Sequence, residues 1–311
     1  MGFKFSVYNE YKYVDFSLGG IMKHPTNCKK RFSCTFQSYR TISLILIAIA
    51  VLLRTLNLFL YYEADIGYYR QGAWLPIVLR AALMLSTILL ATLPFFLEGK
   101  AAPIPKPHTA SSALAITVGV IFAVTALLRY CSSAIDASRH SILLFLMGGF
   151  AATYFVLLGL NKLSPLAALI TGFGAILWFA SVLVSSYFDV YVAMNAPTKV
   201  ALLLACLGGM LLMLGEMRLL CGAHKKRFYL FALSSSTLYL GVSSIPNLIA
   251  DAAGLLPARD LAFADLPILA LGLFGIIRLL GPFGQEEKVA EAEPEGDWAE
   301  PIQDTPDNTD C

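Results

Sequence analysis

Residues 41–97 read TISLILIAIAVLLRTLNLFLYYEADIGYYRQGAWLPIVLRAALMLSTILLATLPFFL. Two apolar runs, 41–62 and 74–97, enclose a polar stretch, Tyr61–Arg70, with four tyrosines and two acids. An α-helix rises about 1.5 Å per residue, so about 20 apolar residues cross a hydrocarbon core about 30 Å thick. Each run has that length. The stretch therefore reads as two membrane-crossing helices joined by a short polar loop.

The same pattern continues along the chain. Runs at 109–130, 141–160, 165–187, 200–220, 228–250 and 264–281 bring the candidate spans to eight. Pro, Gly and charged residues separate them, as in EGKAAPIPKPH, NKLS and CGAHKKR. Over 311 residues, 57% are hydrophobic and 14% charged, and the mean hydropathy is +0.68. Soluble domains carry about 25% charged residues. The runs are too long and unbroken for the alternating strands of an outer-membrane barrel. The expected class is all-α, a multi-pass transmembrane helical bundle.

Lysine and arginine in the loops set the expected orientation. With the N-terminus cytoplasmic, the inner side holds Lys4, Lys12, Lys23, Lys29, Lys30, Arg31, Arg40, Lys100, Lys106, Lys162, Arg218, Lys225, Lys226, Arg227 and Lys288. The outer side holds Arg70, Arg129, Arg139, Lys199 and Arg259, while Arg54, Arg80 and Arg278 lie within spans. Both termini are expected to be cytoplasmic, which requires an even number of crossings. The last span is short and starts near Asp265.

Three segments follow from this map. Residues 1–40 are a basic cytoplasmic N-terminal segment, 41–281 the transmembrane domain, and 282–311 an acidic cytoplasmic tail. Met22 opens MKHPTNCKKRFSCTFQSYR and reads as an alternative start. Gly2 to Ser6 fits the loose M-G-x-x-x-S pattern, which is read as a chance match. The apolar run continues past Ala48–Ala50, so the first span is an uncleaved signal-anchor. The tail is acidic and poor in apolar residues, a composition that stays unfolded. Trp298 is its one large apolar side chain and a candidate anchor for a cytoplasmic protein partner.

Helices in lipid associate through close packing of small residues. Gly148 with Ala152, Gly149 with Thr153, TGFG at 171–174, the pair Gly208–Gly209, and Gly272 with Gly275 offer such surfaces. The seventh span is the most polar. Ser236, Ser243 and Asn247 share one face by helical spacing, and Thr237, Gly241 and Ser244 the next. This face reads as helix packing or as a cavity wall. Pro246 is expected to kink the span's outer end.

Arg54 falls roughly 12 Å from the outer end of the first span, and Arg80 roughly 9 Å into the second. Arg54, Asn57 and Tyr61 share a face, as do Arg80 and Thr87. Glu63 and Asp65 are the nearest counter-ions in sequence. Three readings stand for this group. The arginines snorkel beneath an ordinary aromatic belt, they form a structural ion-pair network, or they hold an anion or lipid headgroup. On the last, Arg54, Asn57, Tyr61, Glu63, Asp65 and Arg80 are the ligand-binding set of an outward-facing polar pocket.

A second outer segment, SSYFDVYVAMNAPTK, repeats an aromatic pair followed by an acid, Tyr187–Phe188–Asp189. Asn195 suits the cap of the sixth span and Pro197 its first turn. If spans 1–4 and 5–8 were repeats, they would be parallel ones about an axis normal to the membrane, but their identity is too weak to assert it. YYEADIGYY (61–69), MNAPTK (194–199) and GEMR (215–218) resemble patches in an uncharacterised group of polytopic bacterial membrane proteins. That resemblance implies a bacterial inner-membrane location and no activity.

Catalytic signatures are missing. The chain has no H-E-x-x-H, G-x-S-x-G or Walker sequence. No acid falls at mid-span, and Glu216 reads as an interfacial ion pair with Arg218. Proton-coupled carriers need a buried carboxylate or histidine, so that gap counts against them. His24, Cys28, Cys34, Cys221 and His224 match no common zinc spacing and read as free groups. No metal, cofactor or nucleic-acid partner is expected beside the lipid bilayer. The chain reads as a non-catalytic sensor or assembly component of the cell (plasma) membrane. The alternative is a permease or lipid-handling carrier that binds an anionic group at Arg54 and Arg80.

Overall fold

The computed structural model describes residues 36–63, 66–97, 104–105, 109–132, 139–189, 192–193, 195–222, 226–256, 262–281 and 283–284. All belong to the compact unit Ser33–Cys311. Met22, His24, Cys28, Cys34, Asp65, His224 and Trp298 lie outside the described residues, as does nearly all of the acidic tail.

Among the described residues, eight α-helices form the body. They are α1 (Phe36–Tyr61), α2 (Leu75–Thr92), α3 (Thr109–Ser132), α4 (Arg139–Gly159), α5 (Pro165–Phe188), α6 (Pro197–Leu220), α7 (Lys226–Ala252) and α8 (Asp265–Leu280). Each matches one apolar run to within a few residues. Seven are long and apolar enough to cross a membrane, and the chain is a multi-pass membrane helical bundle. Large apolar side chains such as Ile77, Met84, Leu166 and Phe188 point outward from the bundle, as lipid contact requires. The eighth helix has 16 residues, roughly 24 Å of rise.

Four two-residue strands accompany these helices among the described residues. β1 (Tyr62–Glu63) pairs antiparallel with β2 (Tyr68–Tyr69), and β3 (Ile104–Pro105) with β4 (Phe283–Gly284). They mark opposite ends. β1 and β2 join α1 to α2 at the hairpin end, while β3 and β4 follow α2 and α8 at the other. Successive helices alternate in direction. At the β3–β4 end, Arg40 near the start of α1 donates to the Leu280 carbonyl at 3.3 Å. The Tyr39 hydroxyl donates to the Leu230 carbonyl at 3.0 Å and shares a 2.7 Å bond with Ser234. These bonds carry α1 back to Phe36, ahead of the apolar run that starts at 41.

α7 occupies the centre and packs on α1, α2, α6 and α8. Across its most apolar stretch 78% of the residues are buried, against 28% in α2. Placement at the centre keeps the polar side chains of α7 out of lipid, where unsatisfied polar groups cost several kcal/mol. Thr237 and Ser244 bond back to the carbonyls of Leu233 and Leu240. The helix continues through Pro246 to Ala252.

Small residues bring the helices together. A Cβ on Gly209 would stand 2.6 Å from the Phe179 ring, and one on Gly172 2.7 Å from Met217. Gly275 lies directly against Thr237. Gly149 differs from expectation: among the described residues nothing stands within 4 Å of where its Cβ would be, and Thr153 bonds back to its carbonyl. The contact of α4 is made by Gly148 against Ala126. The helix contacts do not repeat between the two halves. α1 packs on α7 and α3 on α8, but the counterpart pairs α5–α3 and α7–α4 make no comparable contact.

Candidate functional site

The polar stretch after α1 folds as a hairpin. Tyr62 faces Tyr69 and Glu63 faces Tyr68. Gly67 takes the left-handed conformation the turn needs, with φ +70°, and its N–H donates to the Glu63 carbonyl at 2.9 Å. The Tyr62 and Tyr69 rings meet edge to face at 6.2 Å. Both pack on Leu58, Ala250 and Leu256, so the hairpin is seated on the ends of α1 and α7.

Beneath it lies a cavity of about 320 Å³. Its lining comes from five places: Arg54 on α1, Tyr69 on β2, Pro76, Leu79, Arg80 and Leu83 on α2, Asn195 and the first turns of α6, and Tyr239 and Val242 on α7. Two guanidinium groups therefore face one space, and among the described residues no carboxylate lines it. α2 and α6 form its sides. Arg80 and Val200 are exposed, so the cavity is a cleft open at the flank of the bundle. At its depth the Thr87 and Tyr239 hydroxyls share a 2.7 Å hydrogen bond that ties α2 to α7.

The two arginines differ. Arg54 is 3% exposed and donates through Nη2 to Asn247 Oδ1 at 2.9 Å. Asn247 in turn reaches Asp265 Oδ1 at 3.4 Å. Asp265 is buried at the first residue of α8, where the positive end of the helix dipole favours an acid. Arg80 has no hydrogen-bond or ion-pair partner among the described residues. Burial raises the Tyr69 hydroxyl above the ordinary phenol value, against the pull of Arg54, so it stays a neutral donor.

The other expected residues sit apart from the cleft. Asn57 is fully buried and ties α1 to α2, donating to the carbonyls of Leu53 at 3.0 Å and Leu75 at 3.4 Å. Tyr61 is half-buried at the end of α1, and Glu63 is exposed. The Arg54 bond runs to α7, and Glu63 forms no ion pair among the described residues. Asp65 lies outside the described residues.

Asn195 does not cap α6. The cap position is Ala196, with Pro197 first in the helix, and Asn195 turns into the cleft. Lys199 is buried and closes the preceding loop by donating to the carbonyls of Asp189 at 2.8 Å and Val192 at 3.0 Å.

A second polar cluster lies at the β3–β4 end. Arg278 Nη2 pairs with Glu216 Oε2 at 3.0 Å, and the Tyr229 hydroxyl donates to Glu216 Oε1 at 2.7 Å. Glu216 is fully buried, not interfacial, and its partner is Arg278. Residues two apart on a helix do not face each other. Arg218 accordingly points elsewhere and stacks over the Phe228 ring at 5.0 Å. Glu216 and Asp265 also supply the buried carboxylates that the apolar runs had hidden.

No family model, curated protein or solved structure matches this chain. Arg80, Tyr69 and Asn195 are free to donate to one bound group, with Arg54 adding positive potential behind them. Leu79, Leu83, Val200, Leu204 and Val242 supply an apolar wall. No group of three metal-ligating side chains occurs among the described residues.

Proposed function

We propose that the protein is a non-catalytic sensor or assembly component of the plasma membrane, in a bacterium the inner membrane, with an outward-facing pocket for an anionic group. The observation that carries this reading is that Arg54 and Arg80, from different helices, line one cleft in which no described residue is a carboxylate. Arginine's planar fork suits carboxylate and phosphate oxygens, and a low-dielectric wall strengthens the attraction. The lining is a recognition set of cations, neutral donors and apolar surface.

The proposed topology has eight crossings, with α8 the shortest, and both termini in the cytoplasm. Two features support it. The start of α1 and the end of α8 meet through Arg40 and Leu280, and the loops at that end carry the excess of lysine and arginine. The hairpin then faces outward. The acidic tail, with Trp298, is proposed to bind a cytoplasmic protein.

A permease or lipid-handling carrier is the second reading. The two buried clusters at opposite ends of α8, Asn247–Asp265 and Glu216–Arg278, favour it, because alternating access needs closures at both ends. Arg54→Gln/Arg80→Gln protein in sealed vesicles separates the two. A carrier loses anion flux on replacement, whereas a sensor shows none in either form. Labelling of Arg70→Cys from the cytoplasmic side alone would overturn the outward placement of the pocket.

A further inference from the structure

We infer that the occupant of the cleft between α2 and α6 is a single-chain lipid phosphate, its phosphate on Arg80 and its first methylenes against Leu83 and Leu204. This deepens the pocket reading above and rests on it.

Charge comes first. Arg80 lies about 8 Å from the start of α2 at 1.5 Å per residue, below the level at which a helix end meets headgroups. An arginine at such depth is costly unless it is paired or snorkels, and Arg80 has no partner among the described residues. Arg54 lines the same space, and a second cation behind the first favours a doubly charged phosphate monoester over a singly charged head. Tyr69, held neutral by burial, and Asn195 can each donate to a phosphate oxygen.

Shape adds the chain. Past Arg80 the cleft runs inward along Leu83, Leu204 and Val242 to Tyr239, whose hydroxyl is already committed to Thr87. That inner half offers apolar surface. A free anion would leave it filled with poorly bonded water, whereas an alkyl chain would dry it. A volume of about 320 Å³ is at the small end of ligand pockets. It admits one head and the start of one chain. The rest of the chain leaves sideways between α2 and α6, where Val200 is exposed.

The test uses full-length protein in discs of zwitterionic lipid, with empty discs as the baseline. Three probes are titrated: dodecyl phosphate, inorganic phosphate and dodecanol. Saturable binding of dodecyl phosphate is expected. Arg80→Gln should weaken it about tenfold or more, and Arg80→Lys by less. Leu83→Trp, which fills the cleft without changing charge, should weaken it as well. Arg80 is exposed, so its variants keep the fold, and unchanged size-exclusion profiles verify this. If inorganic phosphate binds as well as dodecyl phosphate and Leu83→Trp has no effect, the lipid inference falls while the anion pocket stands. If dodecanol binds equally, or no probe saturates, both fall.

Discussion

Arg278 and Glu216 meet at 3.0 Å, the acid fully buried and the arginine nearly so, and Tyr229 completes the carboxylate's shell at 2.7 Å. Removing one partner of a buried pair leaves the other charge uncompensated, at a cost of roughly 3–5 kcal/mol. Glu216→Gln and Arg278→Met should each lower the thermal midpoint in detergent. The double variant Glu216→Leu/Arg278→Met should recover most of that loss. Equal loss in the single and double variants would show that packing, not charge pairing, holds this end together.

Arg54 and Asn247 are joined at 2.9 Å, and Asn247 also reaches Asp265. Arg54→Met and Asn247→Leu should therefore be non-additive, with a coupling of about 0.5–3 kcal/mol. A double-mutant cycle on thermal or denaturant unfolding measures it. Additive losses would mean that the bond adds nothing to stability.

Two glycines predict opposite outcomes from one substitution. Gly209→Val drives a side chain into Phe179, whereas Gly149→Val meets open space. Overpacking costs about 1–3 kcal/mol, so Gly209→Val should reduce the monodisperse yield and the midpoint. Gly149→Val should leave both near wild type, a result that size-exclusion chromatography would show directly.

The Tyr69 hydroxyl is raised by burial, with Arg54 pulling the other way. A group whose folded value lies above its unfolded one contributes stability at lower pH and loses it as pH rises through the folded value. The hairpin should thus be insensitive between about pH 6 and 9 and loosen only in strong alkali. Phenolate absorbance of wild type minus Tyr69→Phe gives the titration. A midpoint at or below the free phenol value would contradict the burial.

Much of the architecture is legible in residue order, because lipid imposes length and apolarity on every crossing. All eight helices coincide with the apolar runs, and the Arg54 and Arg80 depths put both on one cleft. The parts that escaped are those set by packing between distant segments. Nothing near Arg54 in sequence announces Asn247. The pairing of Glu216 with Arg278 is hidden by a nearer arginine that helical geometry turns away. Tyr39 lies ahead of the apolar run, so the start of α1 carries no hydropathy signal and is fixed instead by bonds to α7. Asn195 has the composition of a cap, but the proline one position later than expected for that role shifts the cap to Ala196.

The most enclosed helix is also the one that hydrocarbon accepts least readily. α7 has a mean hydropathy of 1.3, where α1 reaches 2.3, yet it forms the centre of the molecule. Its neighbours α1, α2 and α6 precede it along the chain, so they are already synthesised when it leaves the ribosome. Biogenesis thus acquires an order: the early helices must wait, loosely gathered beside the translocon, for the late arrival that gives them a common surface.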